Sequence, residues 1–382
     1  MSMINSKLPH VGTTIFSTMS ALAAKHGALN LSQGFPDFAT PARLLQQLNH
    51  HALAGQNQYP PMSGVADLRS EIAKLVARCY QREVCPEQEI TVTSGATEAL
   101  FVAIHTLIQA GDEVIMFDPA YDSYEPAIAL AGGRCKRLAL SPPDYRPDWQ
   151  QVADAITDKT RCIIVNSPHN PTATLLSKQD WLQLEKLVLE NELFLISDEV
   201  YEHIVFDDHA RLSANSFPDL ASRSFVISSF GKTFHCTGWK TGYCVAPKAL
   251  SREFRKIHQF VTFTSFTPAQ HALADMLAEE PEHIDQLGAF YQQQRDYFAS
   301  EMAASRFTLL PSTGTYFILG DFSAISDMAD TQFCEWLTET AGVAAIPLSV
   351  FYETPPDSKI IRFCFAKQHS TLQAAAKKLC LL

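Results

Sequence analysis

Between residues 90 and 246, short runs of β-branched and aromatic residues alternate with longer stretches whose apolar residues recur at helical spacing. No other feature restricts the fold as much. Ile90–Thr93 reads as a strand. Residues 96–109 follow, with Ala99, Leu100, Ala103, Ile104, Leu107 and Ile108 on one helical face and Gly111 as a stop. Residues 114–117 and 162–165 read as further strands, and 182–189 lies within a helix. Residues 193–196, 225–227 and 243–246 complete the series. Alternation of this kind predicts an α/β unit whose sheet is mainly parallel and covered on both faces. The last hundred residues differ. A long helical stretch at 281–303 leads into strand-like runs at 307–310, 316–319, 344–346 and 360–365. We expect a large domain over 40–280 and a smaller α+β domain made of 1–39 and 281–382.

In open α/β sheets, ligands collect beyond the carboxyl ends of the strands. The residues that follow the strand-like runs are therefore the candidate site. After the first come Ser94-Gly95-Ala96-Thr97, opening a helix whose backbone N–H groups suit a phosphate. Asp118-Pro119-Ala120-Tyr121 offers an aromatic ring, and Asn166 to Thr172 contains Asn170-Pro171-Thr172. Ser197-Asp198-Glu199-Val200-Tyr201 follows the fourth run. Ser229-Phe230-Gly231-Lys232 follows the fifth, with Gly238-Trp239-Lys240 just beyond. A lysine among small and hydroxylated residues past a buried strand suits Schiff-base chemistry with an aldehyde, because partial burial lowers its pKa. The hydroxyls, glycines and second cation at Lys240 could hold a phosphate beside it. The lysine stretch alone is equally consistent with a surface turn carrying two ordinary lysines. The joint occurrence of a phosphate cradle, a ring-stacking aromatic, an acid and a lysine at successive strand ends favours pyridoxal phosphate.

Composition narrows the alternatives. The chain has 382 residues and a formal net charge of −11, with no basic run, so nothing favours nucleic acid as a partner. Nine cysteines are scattered without a CxxC pair, which suits reduced thiols in a cytoplasmic protein rather than a disulfide framework. Residues 15–24 are moderately apolar, but Ser17, Thr18 and Ser20 interrupt them, so they make a poor signal-peptide core. No run is long enough to span a membrane.

The chain resembles the class I/II aminotransferases of pyridoxal phosphate fold type I. The motifs that carry the resemblance are Ser32-Gln33-Gly34-Phe35-Pro36-Asp37-Phe38, Asn57-Gln58-Tyr59, Ser94 to Thr97, Asn170-Pro171-Thr172, Ser197 to Tyr201, Ser229 to Lys232 and Ile361-Arg362. They span nearly the whole chain in the family's order. Gln33 to Phe38, Ser197 to His203 and Gly238 to Lys240 bring it closer to bacterial methionine aminotransferases and kynurenine/glutamine aminotransferases. The resemblance implies a large domain with a mainly parallel seven-stranded sheet plus a smaller α+β domain. It also implies that Lys232 carries the cofactor, Asp198 pairs with its pyridine nitrogen, and Tyr201 and Asn170 bond its phenolic oxygen. Tyr121 would lie against the ring. Ala96, Thr97, Ser229 and Lys240 would hold the phosphate, with Tyr59 reaching in from a partner subunit of a homodimer. Arg362 would bind the substrate α-carboxylate in a bidentate fork, aided by Asn170 and the Gly34 backbone. Two positions depart from the family's common pattern: Lys240 stands where many members have arginine, and Ala173 where glycine often follows Asn-Pro-Thr.

The substrates implied are an amino acid and a 2-oxo acid, exchanged in a ping-pong cycle. The same residues would equally serve a cysteine-conjugate β-lyase. A zinc hydrolase built on Glu199, Glu202, His203, Asp207, Asp208 and His209 lacks any HExxH spacing, so no metal is expected. A non-catalytic regulator of the same fold would need an appended DNA-binding module. The stretch from Gln259 to Gln270 contains three phenylalanines and no arginine or lysine. The missing cation disfavours an acidic substrate side chain, and the phenylalanines favour a thioether or aromatic one, although they are equally compatible with core or dimer contacts. Methionine is the expected amino donor, with Phe, Tyr, His, Gln and kynurenine behind it.

Overall fold

The computed structural model describes residues 5–382. Thirteen strands are present among them. β1 is Leu29–Asn30. β2 (Ile90–Thr93), β3 (Glu113–Asp118), β4 (Arg134–Ala139), β5 (Thr160–Asn166), β6 (Phe194–Asp198), β7 (Ser224–Ser229) and β8 (Gly242–Val245) form one sheet, in the order β2-β8-β7-β6-β5-β3-β4. Only β8 runs against its neighbours. In β5, Ile163 and Val165 enter one core and Cys162 and Ile164 enter the other, so the strand is apolar on both faces. That pattern requires cover on both sides, which the helices provide.

β4 was absent from the strand pattern of the sequence. Its residues, Arg-Cys-Lys-Arg-Leu-Ala, are only partly buried and carry three cations. It is an edge strand, where charge discourages pairing with another chain, so it has no apolar run to read. The helix expected at 96–109 spans Gly95–Leu107, and the one expected around 182–189 spans Lys178–Glu190 with a Ser177/Asp180 capping box.

The C-terminal part builds a second sheet from β9 (Thr308–Leu309), β10 (Phe317–Asp321), β12 (Ile346–Pro347) and β13 (Ile360–Cys364), in the order β12-β13-β10-β9. The single run expected at 344–346 is in fact two strands. β11 (Val343–Ala344) pairs in parallel with β1 in a two-stranded sheet, and after Ala345 the chain crosses to β12 in the four-stranded one. The N-terminal segment is thereby tied to the C-terminal one, and the Cys364 amide also donates to the Leu31 carbonyl. Among the described residues no helix is long and apolar enough to cross a membrane.

A buried carboxyl pair lies behind the end of β6. Glu202 accepts from Tyr243 of β8 at 2.8 Å and from Tyr80 at the end of helix Ala66–Tyr80. Glu199 accepts from Ser197 Oγ at 2.7 Å and the Ala214 amide at 2.9 Å, both on Oε1, while Oε2 has no partner. Burial, with Glu202 nearby, pushes the Glu199 carboxyl up to about 8. The folded protein therefore holds this proton more tightly than the unfolded chain, and stability falls as pH rises from the ordinary carboxylate range through about 8. Glu199→Gln keeps an oxygen for Ser197 and Ala214 but cannot ionise. Its Tm relative to wild type should rise steadily between about pH 5 and pH 8.5 in thermal unfolding; a difference constant over that range would refute the assignment.

Candidate active site

The first four strand-end motifs and the lysine turn converge on one cavity. It is lined by Gly95, Ala96, Thr97, Tyr121, Asn170, Asp198, Tyr201, Ser229, Lys232 and Lys240, with Leu100, Asn166, Val200 and Thr237. The convergence follows from topology: β2, β5, β6 and β7 point the same way, so their carboxyl ends share one rim.

Lys232 sits in the short helix Phe230–Thr233 directly after β7. Its Nζ donates to the Gly34 carbonyl at 3.3 Å and lies 5.6 and 5.7 Å from the ring centroids of Tyr201 and Tyr316. Burial lowers its pKa to about 8, with Cys364 and Asp198 opposing the shift and Lys240 and Arg362 adding to it. About a tenth of the amine is therefore unprotonated at pH 7, far more than for an ordinary lysine.

Asp198 ends β6 and is buried. Its Oδ2 accepts from Tyr124 at 2.6 Å, and Asn166 Nδ2 donates to its carbonyl at 2.8 Å. Burial raises its pKa to about 6, against the Tyr124 and Val200 hydrogen bonds and the charge of Lys232. Asn166 Oδ1 in turn accepts from the Asn170 amide at 2.7 Å, so one asparagine ties the acid to the Asn-Pro turn.

Arg362 lies in the middle of β13 and is fully buried. Nη1 donates to Asn170 Oδ1 at 2.6 Å and Nη2 to the Ser32 carbonyl at 3.1 Å, while Nε has no partner. The guanidinium centre stands 3.8 Å from the Phe317 ring centroid. No carboxylate among the described residues forms an ion pair with it. A buried cation without a counter-anion is costly unless an anion completes it.

Helix Gly95–Leu107, whose first residues line the cavity, begins with Gly95 at φ +75°. A Cβ there would lie 3.3–3.5 Å from Lys240 atoms, close to ordinary contact, so it is the left-handed backbone that calls for glycine. Gly242 is required more strictly, since a Cβ would come within 2.6 Å of the Ser228 carbonyl oxygen and 3.0 Å of the Ala96 nitrogen. The helix start, Thr97, Ser229 and Lys240 thus form a cluster of donors suited to a dianion. Ala173, the other departure noted in the sequence, adopts φ +63° and is buried.

Tyr59 is not in the cavity. It is 84% exposed and meets Phe263 edge-on at 5.7 Å. Phe260, Phe263 and Phe266 are also exposed, so none of the three phenylalanines belongs to the core of this chain. Glu202 and Asp207 are engaged by Tyr80, Tyr243 and Arg295, and no group of three His, Cys, Asp or Glu side chains among the described residues is placed to hold a metal. Sequence reasoning missed Tyr124 and Tyr316, and it placed Asn166 in a strand-end motif without giving it a role. Tyr124 lies three residues beyond Tyr121 and opens helix Tyr124–Leu130, a spacing that could have marked it. Tyr316 reaches the site from the C-terminal sheet and had no local signal.

The profile of the family described as Aminotransferase class I and II matches residues 27–379. The chain is 54% identical over 374 residues to the methionine aminotransferase of Escherichia coli K12, covering 98% of this chain and 97% of that protein. The crystal structure of an E. coli protein with a methionine aminotransferase function superposes with a TM-score of 0.98 at 54% identity, over 100% of both chains. The N-succinyldiaminopimelate aminotransferase structure from Mycobacterium tuberculosis gives a TM-score of 0.96 at 38% identity, covering 99% of each chain. Human kynurenine–oxoglutarate transaminase 1 is 32% identical over 393 residues, covering 94% of this chain and 93% of that protein. The architecture is that of the fold type I aminotransferases.

The unpaired guanidinium yields a test. Arg362→Met removes a buried charge that has no protein counter-ion, so Tm should stay within about 3 °C of wild type, the lost hydrogen bonds being offset by the relieved desolvation. Added 3-phenylpropionate should raise the Tm of the wild type but not of the variant. A much larger fall in Tm would make Arg362 a structural residue, and equal stabilisation of both proteins would remove it from carboxylate binding.

Proposed function

The chain belongs to the class I and II aminotransferases and is an aminotransferase; from that premise we propose that it binds pyridoxal phosphate on Lys232 and prefers methionine and other neutral or aromatic amino acids as donors. The observation that carries this reading is a buried lysine lining the cavity, together with a buried guanidinium that has no counter-ion and is held on the cavity residue Asn170. The residues fit the cofactor. Gly242 leaves room where a Cβ would crowd the cradle, the donors at that end suit a phosphate, and Asp198 offers a buried carboxylate for a pyridinium. On this reading Ala96, Thr97, Ser229 and Lys240 hold the phosphate, Tyr121 covers the ring, and Tyr201 with Asn170 serves the phenolic oxygen.

Bound pyridoxal phosphate supplies an electron sink that acidifies the α-carbon of the substrate. The protein's part is to orient and to move protons. Arg362 and Asn170, with the Gly34 backbone, bind the substrate α-carboxylate and so fix the α-carbon. The ε-amine of Lys232 takes the α-proton and later returns one, which a pKa near 8 permits. Asp198 holds a proton at the pyridine nitrogen, and Tyr124 holds Asp198 in place. Surrounding apolar and aromatic groups keep water away from these charges, which strengthens each of them.

Methionine preference is supported by the E. coli relative, a methionine aminotransferase at 54% identity, and by the absence of arginine and lysine from Gln259 to Gln270. A side-chain carboxylate buried there would lack a partner, at a cost of several kcal/mol. Purified protein should absorb in the visible. Lys232→Ala should lose transaminase turnover by at least about 10³-fold, and kcat/KM should be highest for methionine and lowest for aspartate with one acceptor. Wild-type turnover in Lys232→Ala, or a higher kcat/KM for aspartate than for methionine and phenylalanine, would overturn the reading.

The working form in this reading is a cytoplasmic homodimer, each protomer divided into residues 40–280 and 1–39 with 281–382. Support comes from the exposed apolar patch of Tyr59, Phe260, Val261, Phe263 and Phe266. In that dimer Tyr59 serves the partner's phosphate site. If a Tyr59 variant proves severely impaired, mixing it with inactive Lys232→Ala should restore part of the activity through hybrid dimers. A fully active monomer at working concentration would refute the arrangement.

A further inference from the structure

Glu98 stands in the first turn of helix Gly95–Leu107, the helix whose start lines the cavity. It is buried, and its Oε2 accepts from the Ser94 amide at 3.0 Å. One of the unpaired amides at the helix start is thereby satisfied, and the turn ahead of Gly95 is held. The same carboxyl is a liability for anion binding. The first amides of a helix favour negative charge, and a carboxylate among them competes with a phosphate for that place. A bare charge on Glu98 would repel the dianion that Ala96, Thr97, Ser229 and Lys240 suit.

That charge is met from another element. His258 of helix Lys248–Val261 is fully buried, with Nδ1 2.8 Å from Glu98 Oε1. Its Nε2 lies 3.1 Å from the Met62 carbonyl oxygen. A carbonyl only accepts, so Nε2 must carry a proton. Two arrangements then satisfy Nδ1: an imidazolium donating to the Glu98 carboxylate, or a neutral ring accepting from a protonated Glu98. Both leave the pair without net charge. The ring is held in place from two sides. Phe254 stacks on it at 6.2 Å and 27°, and the His258 carbonyl accepts from the Thr262 and Phe263 amides at 3.2 and 3.1 Å. Met62 follows Tyr59 by three residues and Phe263 meets the Tyr59 ring, so the histidine joins the cradle helix to the segment that carries Tyr59.

We propose that His258 is a positioning residue for the anion cradle: it cancels the charge of Glu98, so that Glu98 can hold the Ser94 turn while the helix start still accepts a phosphate. This rests on the reading that the cavity binds pyridoxal phosphate with its phosphate at that helix start. Neither Glu98 nor His258 lines the cavity. Their effect therefore reaches the ligand through charge and through the fixed turn, and it falls on the phosphate group rather than on the ring of the cofactor.

The test titrates the full chain, stripped of cofactor, with pyridoxal phosphate and with pyridoxal at one slightly alkaline pH. The visible band gives a Kd for each, and their ratio isolates the phosphate. Glu98→Gln keeps an oxygen for Ser94 and offers an amide N–H to a neutral His258, so the preference for the phosphorylated ligand should stay within about twofold of wild type. His258→Phe keeps a ring beside Phe254 but leaves Glu98 unpaired. The preference should fall about tenfold through weaker pyridoxal phosphate binding, with pyridoxal changed less than about threefold. Glu98→Gln/His258→Phe removes the charge as well and should recover the preference to within about threefold of wild type. A His258→Phe preference equal to wild type, equal losses for both ligands, or no recovery in the double variant overturns the proposal. So does a His258→Phe protein that fails to fold or melts more than about 10 °C below wild type, since that is the behaviour of a scaffolding residue. Wild-type protein that forms no visible band would instead overturn the cofactor reading, and wild-type protein that binds both ligands equally would overturn the phosphate cradle, so the failures are distinct.

Discussion

Desolvation of three ionisable groups, Lys232, Asp198 and Arg362, is the constraint on which the site depends. Burial is the largest influence on each, pushing the lysine and arginine down and the aspartate up. None of the three is neutralised by a close ion pair within the described residues. What restrains them is a set of neutral hydrogen bonds and ring faces: Gly34 and two tyrosines for Lys232, Tyr124 and Val200 for Asp198, Asn170, Ser32 and Phe317 for Arg362. Such an arrangement is poor for stability and well suited to binding groups of opposite charge, because the desolvation is already complete when the ligand arrives.

The two sheets divide this work. The seven-stranded sheet presents Asp198, the lysine turn and the anion cradle along one rim, where a parallel sheet naturally gathers strand ends. The four-stranded sheet supplies Arg362 from β13 and Phe317 from β10, with Tyr316 just ahead of it. Gly34 comes from the N-terminal segment, fastened to the C-terminal part by β1 pairing with β11. The surroundings of Arg362 thus join parts of the chain more than 300 residues apart, as the bond from Arg362 Nη2 to the Ser32 carbonyl illustrates.

The buried acids behind β6 show the same economy of polar groups. Two tyrosines from different elements converge on Glu202, while Glu199 keeps one unpartnered oxygen. Of the acidic cluster between Glu199 and His209, Glu199 and Glu202 are hydrogen-bond acceptors joining helix Ala66–Tyr80, β6 and β8, and Asp207 pairs with Arg295.

The sequence by itself determined the parallel sheet, because strands buried on both faces must be apolar throughout and such runs are visible one by one. It also determined the strand-end positions of Asp198, Lys232 and the Ser94–Thr97 turn, since local pattern fixes where a strand stops. It did not reveal β4, whose edge position removes the apolar signal, nor the break at Ala345, where the chain changes sheets without changing composition. Arg362 stood out only through family resemblance; its missing counter-ion is a property of what surrounds β13. The roles open to Tyr124, Asn166 and Tyr316 were decided by tertiary structure alone. A hydrogen bond between residues 316 and 34, or 124 and 198, depends on how separate elements pack, and no local stretch of sequence encodes that distance.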